Sequence, residues 1–359
     1  MRLIDINARF LTQATTGVQR VAEQLVRALD RELRASSELR KRYSFRLVAP
    51  AGERRQIALD HINTVEVGRL RGQQWEQLEL PAYTAGRLLL NLCNTAPVGV
   101  RSIVVIHDAS VFAIPQAYSP AFRSWYRILI PLLGRRALRV ITDSHFSREE
   151  LARRAGIPHD KLDVLPLGAD HVLHSPADKG VFHRLPVGPG RYILAVGSRS
   201  PHKNLGALVA AVAALGVKQL PLVLAGGTNA RVFAASARSE SSIDAGYVTD
   251  GELRALYENA LCFVFPSLYE GFGLPPLEAM LCGCPALVSN AGPLPEVCGS
   301  GARYCNPRDP DDIARGIREI VAEPGRREQQ VRAGTARARE FTWQRSVHEL
   351  ISILDRIPA

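Results

Sequence analysis

The sequence has no long apolar run, and none approaches the roughly 20 residues that a membrane-spanning helix requires. Its opening, MRLIDINARF, predicts a strand and contains no apolar signal-peptide segment, so we expect a cytoplasmic protein. The six cysteines follow no zinc-binding spacing, because Cys282 and Cys284 form only a Cys-x-Cys pair. These absences disfavour an integral membrane protein and a zinc protein, and they predict reduced thiols.

The composition that is present, 46% hydrophobic and 22% charged over 359 residues, is typical of a soluble globular enzyme with room for two domains. The net charge of +10 is uneven, since residues 1–172 contain 25 Lys and Arg against 17 Asp and Glu. No recognised nucleic-acid-binding motif accompanies this excess. We therefore expect no nucleic-acid partner.

One basic segment, residues 122–139, mixes Trp125, Tyr126 and aliphatic residues with five arginines. Such a mixture is typical of an amphipathic surface that binds an anionic membrane. It is equally compatible with an ordinary helix that buries one face, because Pro131 and Gly134 interrupt the pattern. Peripheral association with the cytoplasmic face of the inner membrane and a solvated helix both remain open.

Short apolar runs alternate with amphipathic segments along most of the chain. The predicted strands cover residues 2–7, 45–49, 64–67, 88–92, 103–106, 139–142, 163–167, 192–196, 221–225, 261–265 and 285–289. This alternation predicts an α/β protein with doubly wound parallel sheets. The segment 173–190, rich in Pro and Gly, predicts a linker between domains 1–172 and 191–342, and we expect a C-terminal helix in 343–359 to cross back to the first domain.

The most informative stretch is FVFPSLYEGFGLPPLE, residues 263–278. A buried strand ends at Pro266, and Glu270 precedes Gly271-Phe272-Gly273-Leu274, two prolines and Glu278. Glycines let the backbone approach a ligand, so the loop offers free N–H groups, and the prolines begin a helix whose positive end lies beside it. The stretch predicts a site for an anionic or polyhydroxylated ligand. The structural alternative is a solvated Glu270 and a capping Glu278.

Polar side chains follow other predicted strands as well. His107 follows the strand 103–106, Asp143 and Ser144 follow 139–142, and a basic loop that ends in Lys203 follows 192–196. Ligands bind beyond the carboxyl ends of strands in open parallel sheets, so each of these side chains is a candidate. Lys203 would meet a diphosphate as a point charge, whereas a structural His-Asp turn is the alternative for His107.

Several polar residues instead predict helix starts. Ser147 to Glu150 has the pattern of a capping box, and Thr249 or Asp250 is expected to cap a later helix. The acidic run 309–312 resembles a metal-binding Asp-x-Asp, but it fits better as compensation of a helix dipole. Gly17 lies at a strand-to-helix turn where a phosphate could approach, although a single glycine is a weak signal.

Taken together, these motifs resemble those of glycosyltransferase family 4. They are TTGVQR around Gly17, IHDAS at 106–110, ITDSHFSREEL at 141–151, LPLGAD at 165–170, PHKNL at 201–205, GYVTDGELRALYENA at 246–260 and EGFGLPPLE at 270–278. The resemblance spans nearly the whole chain and is strongest to bacterial mannosyl- and rhamnosyltransferases of surface-polysaccharide assembly. It implies a GT-B architecture with two facing Rossmann-like domains.

The resemblance also implies a role for each matching residue. Glu270 would contact the donor sugar near its reacting carbon, and Glu278 would bind the ribose hydroxyls of the nucleotide. The amides of Gly271 to Leu274 would hold sugar hydroxyls and a phosphate oxygen. Lys203 would neutralise the leaving diphosphate.

Further donor contacts are implied for Gly17, His107, Ser198 and Val248. Gly17 belongs to the loop that closes over the diphosphate, and His107 touches the donor sugar. Many family members have an arginine just before the lysine, whereas this chain has His202. The resemblance therefore implies either that Arg199 substitutes for it or that the phosphate is held more weakly.

The implied activity is hexosyl transfer with retention, without a metal or other cofactor. A GDP-sugar, with mannose or rhamnose, is the expected donor, and a UDP-sugar is the alternative. The expected acceptor is a hydroxyl of a glycan or of a lipid-linked oligosaccharide. A sugar-nucleotide epimerase, a phosphorylase and a non-catalytic binding subunit remain alternatives on the same scaffold.

Overall fold

The computed structural model describes residues 1–216, 220–227 and 242–358. The chain forms two compact units. The first comprises Met1–Phe112, Ser124–Leu167 and Trp343–Ala359, and the second comprises Ala113–Arg123 and Gly168–Thr342. The segment 173–190, which we predicted as a linker, groups with the second unit, where its residues 181–184 form a helical turn.

Each unit is built on one parallel sheet. The first sheet contains β1 (Arg2–Asn7), β2 (Tyr43–Pro50), β3 (Asn63–Val67), β4 (Leu88–Asn91), β5 (Ser102–Val105), β6 (Arg139–Thr142) and β7 (Leu162–Val164), in the order β3-β2-β1-β4-β5-β6-β7. The second contains β8 (Ile193–Val196), β9 (Leu222–Ala225), β10 (Ser242–Gly246), β11 (Cys262–Phe265), β12 (Ala286–Ser289) and β13 (Arg303–Cys305), in the order β10-β9-β8-β11-β12-β13. Strand order reverses between β1 and β4 and between β8 and β11, and such switch points are where ligands bind in this class.

Helices connect the strands. They are α1 (Gly17–Ala35), α2 (Ser37–Arg42), α3 (Gly72–Gln74), α4 (Leu80–Thr84), α5 (Ser110–Ala113), α6 (Pro120–Arg136), α7 (His145–Ala155), α8 (Val181–Arg184), α9 (Leu205–Ala214), α10 (Asp250–Asn259), α11 (Leu274–Leu281), α12 (Leu294–Cys298), α13 (Pro310–Ala322), α14 (Pro324–Ala338) and α15 (Trp343–Asp355). A π-helical turn, Trp75–Glu79, joins α3 to α4. No helix within the described ranges combines the length and the apolarity needed to cross a membrane.

The central strands are buried along their whole length, which explains why the apolar runs predicted them well. Strands β4, β5, β11 and β12 contain no exposed residue, as expected for parallel strands covered by helices on both faces. The predicted α/β class with parallel sheets is therefore confirmed. We did not predict β10, β13 or α14 from the sequence. Strand β10 has few apolar residues, β13 has only three residues, and α14 is polar over most of its length.

The C-terminal helix α15 belongs to the first unit, as predicted. It buries Trp343, Val347 and Leu350. Its Ser346 hydroxyl donates to the carbonyl of Pro166 at 2.7 Å, so the helix is attached to the segment that follows β7. This arrangement confirms that the chain returns to its first unit after completing the second.

The helix caps test the predicted helix starts. Thr249 caps α10, and its backbone N–H donates to Glu252 Oε2 at 2.8 Å. Asp309 caps α13, which confirms that the acidic run begins a helix. The prediction that Ser147 is a cap is wrong. Ser144 lies two residues after the end of β6 in an extended conformation, and its hydroxyl accepts from the Ser147 N–H at 3.0 Å, so α7 begins three residues earlier than predicted.

Candidate active site

Two loops meet at the switch point of the second sheet. One follows β8 and covers residues 197–204, and the other follows β11 and covers residues 266–273. The ends of β8, β9 and β11 line a pocket, together with Gly197, Ser198, Arg199 and Lys203. The pocket therefore lies where the topology predicts a ligand.

An ion pair joins the two loops. Lys203 Nζ lies 2.7 Å from Glu270 Oε1, and the two side chains are only 16% and 12% exposed. The ammonium group also lies 4.9 Å from the centroid of the Phe265 ring. Opposite charges are thus held side by side in a largely desolvated place, where Coulomb interactions are stronger than in water. A ligand with one anionic and one hydroxyl-rich end could contact both.

Asn204 attaches the lysine loop to its neighbours. Its backbone is in the left-handed region, with φ of 58°, which asparagine tolerates better than most residues. Its side-chain Nδ2 donates to the carbonyl of Pro266 at 3.1 Å and to that of Pro307 at 2.5 Å. The position of Lys203 is therefore set by the residue that follows it. We did not identify this role from the sequence, where Asn204 is part of the motif PHKNL and has no other distinguishing feature.

The N-termini of α9 and α11 lie at these loops. Neither helix has a side-chain cap among the described residues, in contrast to α10 and α13. At the start of α11, Gly273 has φ of 108°, and a Cβ there would lie 2.5 Å from Leu294 Cδ2. The Phe272 ring is buried against Phe341, with centroids 5.8 Å apart, so only its backbone is available to a ligand. The uncapped N-terminal amides of α9 favour an anion, and so does the positive end of the α11 dipole, where Pro275 and Pro276 carry no N–H.

Glu278 neither caps α11 nor faces solvent, since it is 6% exposed. Its Oε2 accepts from the hydroxyl of Tyr257 at 3.0 Å, and its Oε1 lies 3.1 Å from His171 Nε2. Burial, together with the charge of Glu278, raises the pKa of Tyr257 well above 10, so the phenol stays protonated and donates. We did not identify His171 from the sequence, although it directly follows the LPLGAD motif.

The other residues of the loop after β8 that we predicted to bind the nucleotide-sugar donor have polar partners within the second unit. Arg199 forms an ion pair with Asp244. The loop serine Ser198 lies within hydrogen-bonding distance of Ser200, with 3.1 Å between the two hydroxyl oxygens, and His202 Nε2 lies 3.3 Å from the same Ser200 oxygen. Val248 is buried in the turn before α10. The structure thus places Ser198, Arg199, His202 and Lys203 on one loop with Glu270 beside it.

His107 belongs to the first unit, where it follows β5. Its Nδ1 lies 2.8 Å from Asp143 Oδ2, and its Nε2 lies 3.1 Å from the carbonyl oxygen of Leu92. Both partners are acceptors, so the contacts are satisfied together only by a doubly protonated ring. Burial disfavours that charge, but the charges of Asp143 and Asp108 and the hydrogen bonds to Asp143 and Leu92 together outweigh burial and raise the pKa of His107. The predicted residue Asp143 therefore orients His107, while the predicted Ser144 caps α7.

Gly17, the other candidate of the first unit, is the first residue of α1. A Cβ at this position would meet nothing within 4 Å. Packing within the unit therefore does not require glycine here. The open space at the helix N-terminus suits a ligand that approaches the backbone.

A buried polar network occupies the switch point of the first sheet. Arg9 Nε lies 3.2 Å from Glu76 Oε1, and Asn7 Nδ2 donates to the same oxygen at 2.7 Å and to Asn91 at 3.0 Å. Arg9 Nη2 also donates to Thr95 at 2.8 Å. We did not identify this cluster from the sequence, because its members come from the π-helical turn and from β1, β4 and the segments that follow these two strands.

The cysteines are free thiols, and four of them, Cys262, Cys284, Cys298 and Cys305, are buried. Burial raises the pKa of Cys262 to about 12, which disfavours the reactive thiolate. In the part of the chain that the structure describes, no group of three or more His, Cys, Asp or Glu side chains is arranged to hold a metal ion.

Comparison with known proteins identifies the family. Residues 183–337 match the sequence model described as Glycosyl transferases group 1, and residues 80–173 match the one described as Glycosyltransferase Family 4. The chain is 33% identical over 266 residues to the O-antigen chain mannosyltransferase B of Escherichia coli, with 70% of this chain and 69% of that protein covered.

Two further proteins are similar, one in sequence and the other in fold. A GDP-mannose-dependent alpha-(1-6)-phosphatidylinositol dimannoside mannosyltransferase of Mycobacterium tuberculosis is 32% identical over 222 residues, which cover 60% of this chain and 57% of that protein. The crystal structure of Anabaena HepE in complex with UDP and glucose has a TM-score of 0.72 and 16% identity, over 99% of this chain and 100% of that chain. The chain thus belongs to glycosyltransferase family 4, has the GT-B fold and is a hexosyltransferase.

Proposed function

We propose that the protein transfers mannose from GDP-mannose to a hydroxyl of a glycan or lipid-linked oligosaccharide, with retention of configuration and without a metal ion. As a member of its family, the chain uses a nucleotide-sugar donor and a glycan acceptor. The names of the two related mannosyltransferases support mannose, and one of them supports GDP. The contact between Lys203 and Glu270, beside two uncapped helix N-termini, is the observation that supports the mechanism most directly.

Metal independence is supported by the charges at the site. Breaking the glycosyl–diphosphate bond leaves negative charge on the diphosphate and cationic character on the sugar. The ammonium group of Lys203 and the N-termini of α9 and α11 supply positive potential for the leaving group. A bound metal ion would supply the same stabilisation in other enzymes.

The number of carboxylates makes hydrolysis a poor fit, and for the transfer itself we propose retention. A glycoside hydrolase requires two carboxyl groups at the reacting bond. Here Glu278 is held by Tyr257 and assigned to the ribose, which leaves Glu270 beside Lys203. In the proposed step, the acceptor oxygen forms a bond to the anomeric carbon on the face from which the diphosphate departs. The acceptor proton passes to a phosphate oxygen of the leaving diphosphate.

The donor is tested by a panel of GDP, UDP, ADP and dTDP in thermal-shift measurements, followed by turnover of the matching sugar nucleotides. We expect GDP to raise the midpoint of unfolding most, by about 5–10 °C at a hundredfold excess over its Kd. EDTA should leave turnover with GDP-mannose unchanged, and NMR of the product should show the anomeric configuration of the donor.

Each result has a contrary outcome. A UDP-sugar is the second candidate donor, because HepE was solved with UDP and glucose, and a larger shift with UDP would select it. Loss of turnover in EDTA that Mg²⁺ restores would contradict metal independence. An inverted product would contradict retention.

We also propose peripheral binding to an anionic membrane through α6 and the residues after it. The helix buries Leu129, Ile130 and Leu133 in the core of the first unit, so it is in part the ordinary helix of our alternative interpretation. Yet Trp125 is 40% exposed and Ile128 is 69% exposed. The segment also contains the exposed arginines Arg127, Arg135 and Arg136. Exposed aromatic and aliphatic side chains among arginines support attachment to anionic lipid.

Replacing Arg135 and Arg136 together by glutamine is expected to lower the affinity for phosphatidylglycerol vesicles by roughly 30-fold, since each basic residue near the membrane surface contributes about 1 kcal/mol. Co-sedimentation with the vesicles measures this affinity. The matched control is the adjacent pair Arg326 and Arg327 on α14, replaced in the same way. Equal binding of the wild type to phosphatidylglycerol and to neutral phosphatidylcholine vesicles would exclude the electrostatic contact.

A further inference from the structure

Three buried side chains of the second unit form one contact network. Glu278 of α11 lies between Tyr257 of α10 and His171 of the turn Asp170–Leu173, with 3.0 Å to the tyrosine hydroxyl and 3.1 Å to the histidine Nε2. Each carboxylate oxygen faces a different one of these partners. The network therefore determines both the position and the rotation of the carboxylate plane.

Such an arrangement is needed because a buried carboxylate loses its hydration. Glu278 is 6% exposed, and a carboxylate without partners at such a site would be strongly destabilising. The ring of Tyr257 is held in turn by Phe263, with the two centroids 5.6 Å apart and the planes at 73°. The hydroxyl of Tyr257 thus has little freedom, and its hydrogen bond transmits this rigidity to Glu278.

We propose that Tyr257 is a positioning residue for nucleotide recognition: with His171, it holds the Glu278 carboxylate in the orientation that receives the ribose hydroxyls of the donor. The inference rests on the proposed function, in which Glu278 binds the ribose. Tyr257 acts through Glu278 and has no contact with the ligand itself. Removing its hydroxyl should affect recognition of the ribose more than recognition of the diphosphate.

The chain contains a matched control for this hydroxyl. Tyr192 is fully buried, as Tyr257 is, and its hydroxyl donates to the carbonyl of Leu256 at 2.6 Å. Leu256 directly precedes Tyr257 on α10. Tyr192→Phe and Tyr257→Phe each remove one buried hydrogen bond at the same helix. Of these two tyrosine hydroxyls, only that of Tyr257 donates to Glu278.

The experiment compares GDP with 2′,3′-dideoxy-GDP by calorimetry in the wild type and both variants. The wild type should prefer GDP by roughly 10- to 100-fold or more, as expected for hydrogen bonds to a charged group. Tyr257→Phe should lower this preference about 5- to 10-fold, whereas Tyr192→Phe should leave it within about twofold. Because both affinities are measured on the same variant, their ratio is insensitive to a general loss of stability. His171→Leu, which removes the other partner, should also lower the preference and serves if Tyr257→Phe does not fold.

The outcomes distinguish failure of the positioning role of Tyr257 from failure of the ribose contact of Glu278. An unchanged preference in Tyr257→Phe or in His171→Leu would overturn the positioning role and leave the ribose contact intact. A wild type that binds both ligands equally would overturn the ribose contact itself, and the positioning role with it. Equal losses in Tyr257→Phe and Tyr192→Phe would show a structural effect of α10, which also contradicts the proposal.

Discussion

Replacing Lys203 by methionine is expected to lower kcat with GDP-mannose by about 100- to 1,000-fold, the range seen when one preorganised donor to a developing anion is removed. Methionine keeps the length of the side chain and its packing near the Phe265 ring, but it removes the charge that lies 2.7 Å from Glu270. Because negative charge grows on the diphosphate as its bond breaks, kcat should fall more than affinity for the donor. Steady-state kinetics and GDP binding together measure this difference.

Lys161→Met is the matched control, since the Lys161 ammonium group donates to the backbone carbonyls of Arg135 and Ala137 in the first unit. Its turnover should stay near that of the wild type. If Lys203→Met also kept the wild-type kcat and the wild-type affinity for GDP, the lysine would not contact the diphosphate.

Glu270→Gln is the second substitution with a large expected effect. Glutamine keeps the shape of the side chain but cannot stabilise cationic character on the sugar, so kcat should fall by about 100- to 1,000-fold. GDP alone carries no mannosyl group, and it should bind the variant as tightly as the wild type or more tightly. The physical reason is that Lys203 no longer pairs with a carboxylate and its charge is available to the diphosphate.

This combination of results distinguishes a specific loss from general disruption of the loop. Glu258→Gln, which removes an exposed carboxylate paired with Arg254, is the control and should behave like the wild type. Turnover of Glu270→Gln near the wild-type rate would contradict the stabilising role. Much weaker binding of GDP would instead indicate that the loop itself had moved.

The sequence predicted the strands best where apolar runs are fully buried. The predicted strand 139–142 has the same bounds in the structure, and 285–289 differs by one residue. The prediction failed where local pattern and burial diverge. Strand β10, SIDAG, has few apolar residues, and the true cap of α7 is Ser144 because the backbone leaves β6 in an extended conformation there.

The contacts between site residues were beyond such reasoning. Lys203 and Glu270 were both predicted as candidates, but their ion pair joins residues 67 positions apart. Asn204 holds the lysine loop through a carbonyl 103 positions away. Such pairings depend on which strand ends become neighbours in the sheet, and neither periodicity nor composition records that order.

The sequence by itself determined the α/β class, the family and the residue types that the chemistry requires, because buried strands, turns and glycine-rich loops leave local patterns. Tertiary structure alone decided which partner each charged group has: Lys203 with Glu270, Glu278 with Tyr257 and His171, and His107 with Asp143. The reason is that a parallel sheet brings loops from distant segments to one edge. The electrostatics of a side chain there depends on its spatial neighbours rather than on its neighbours in sequence.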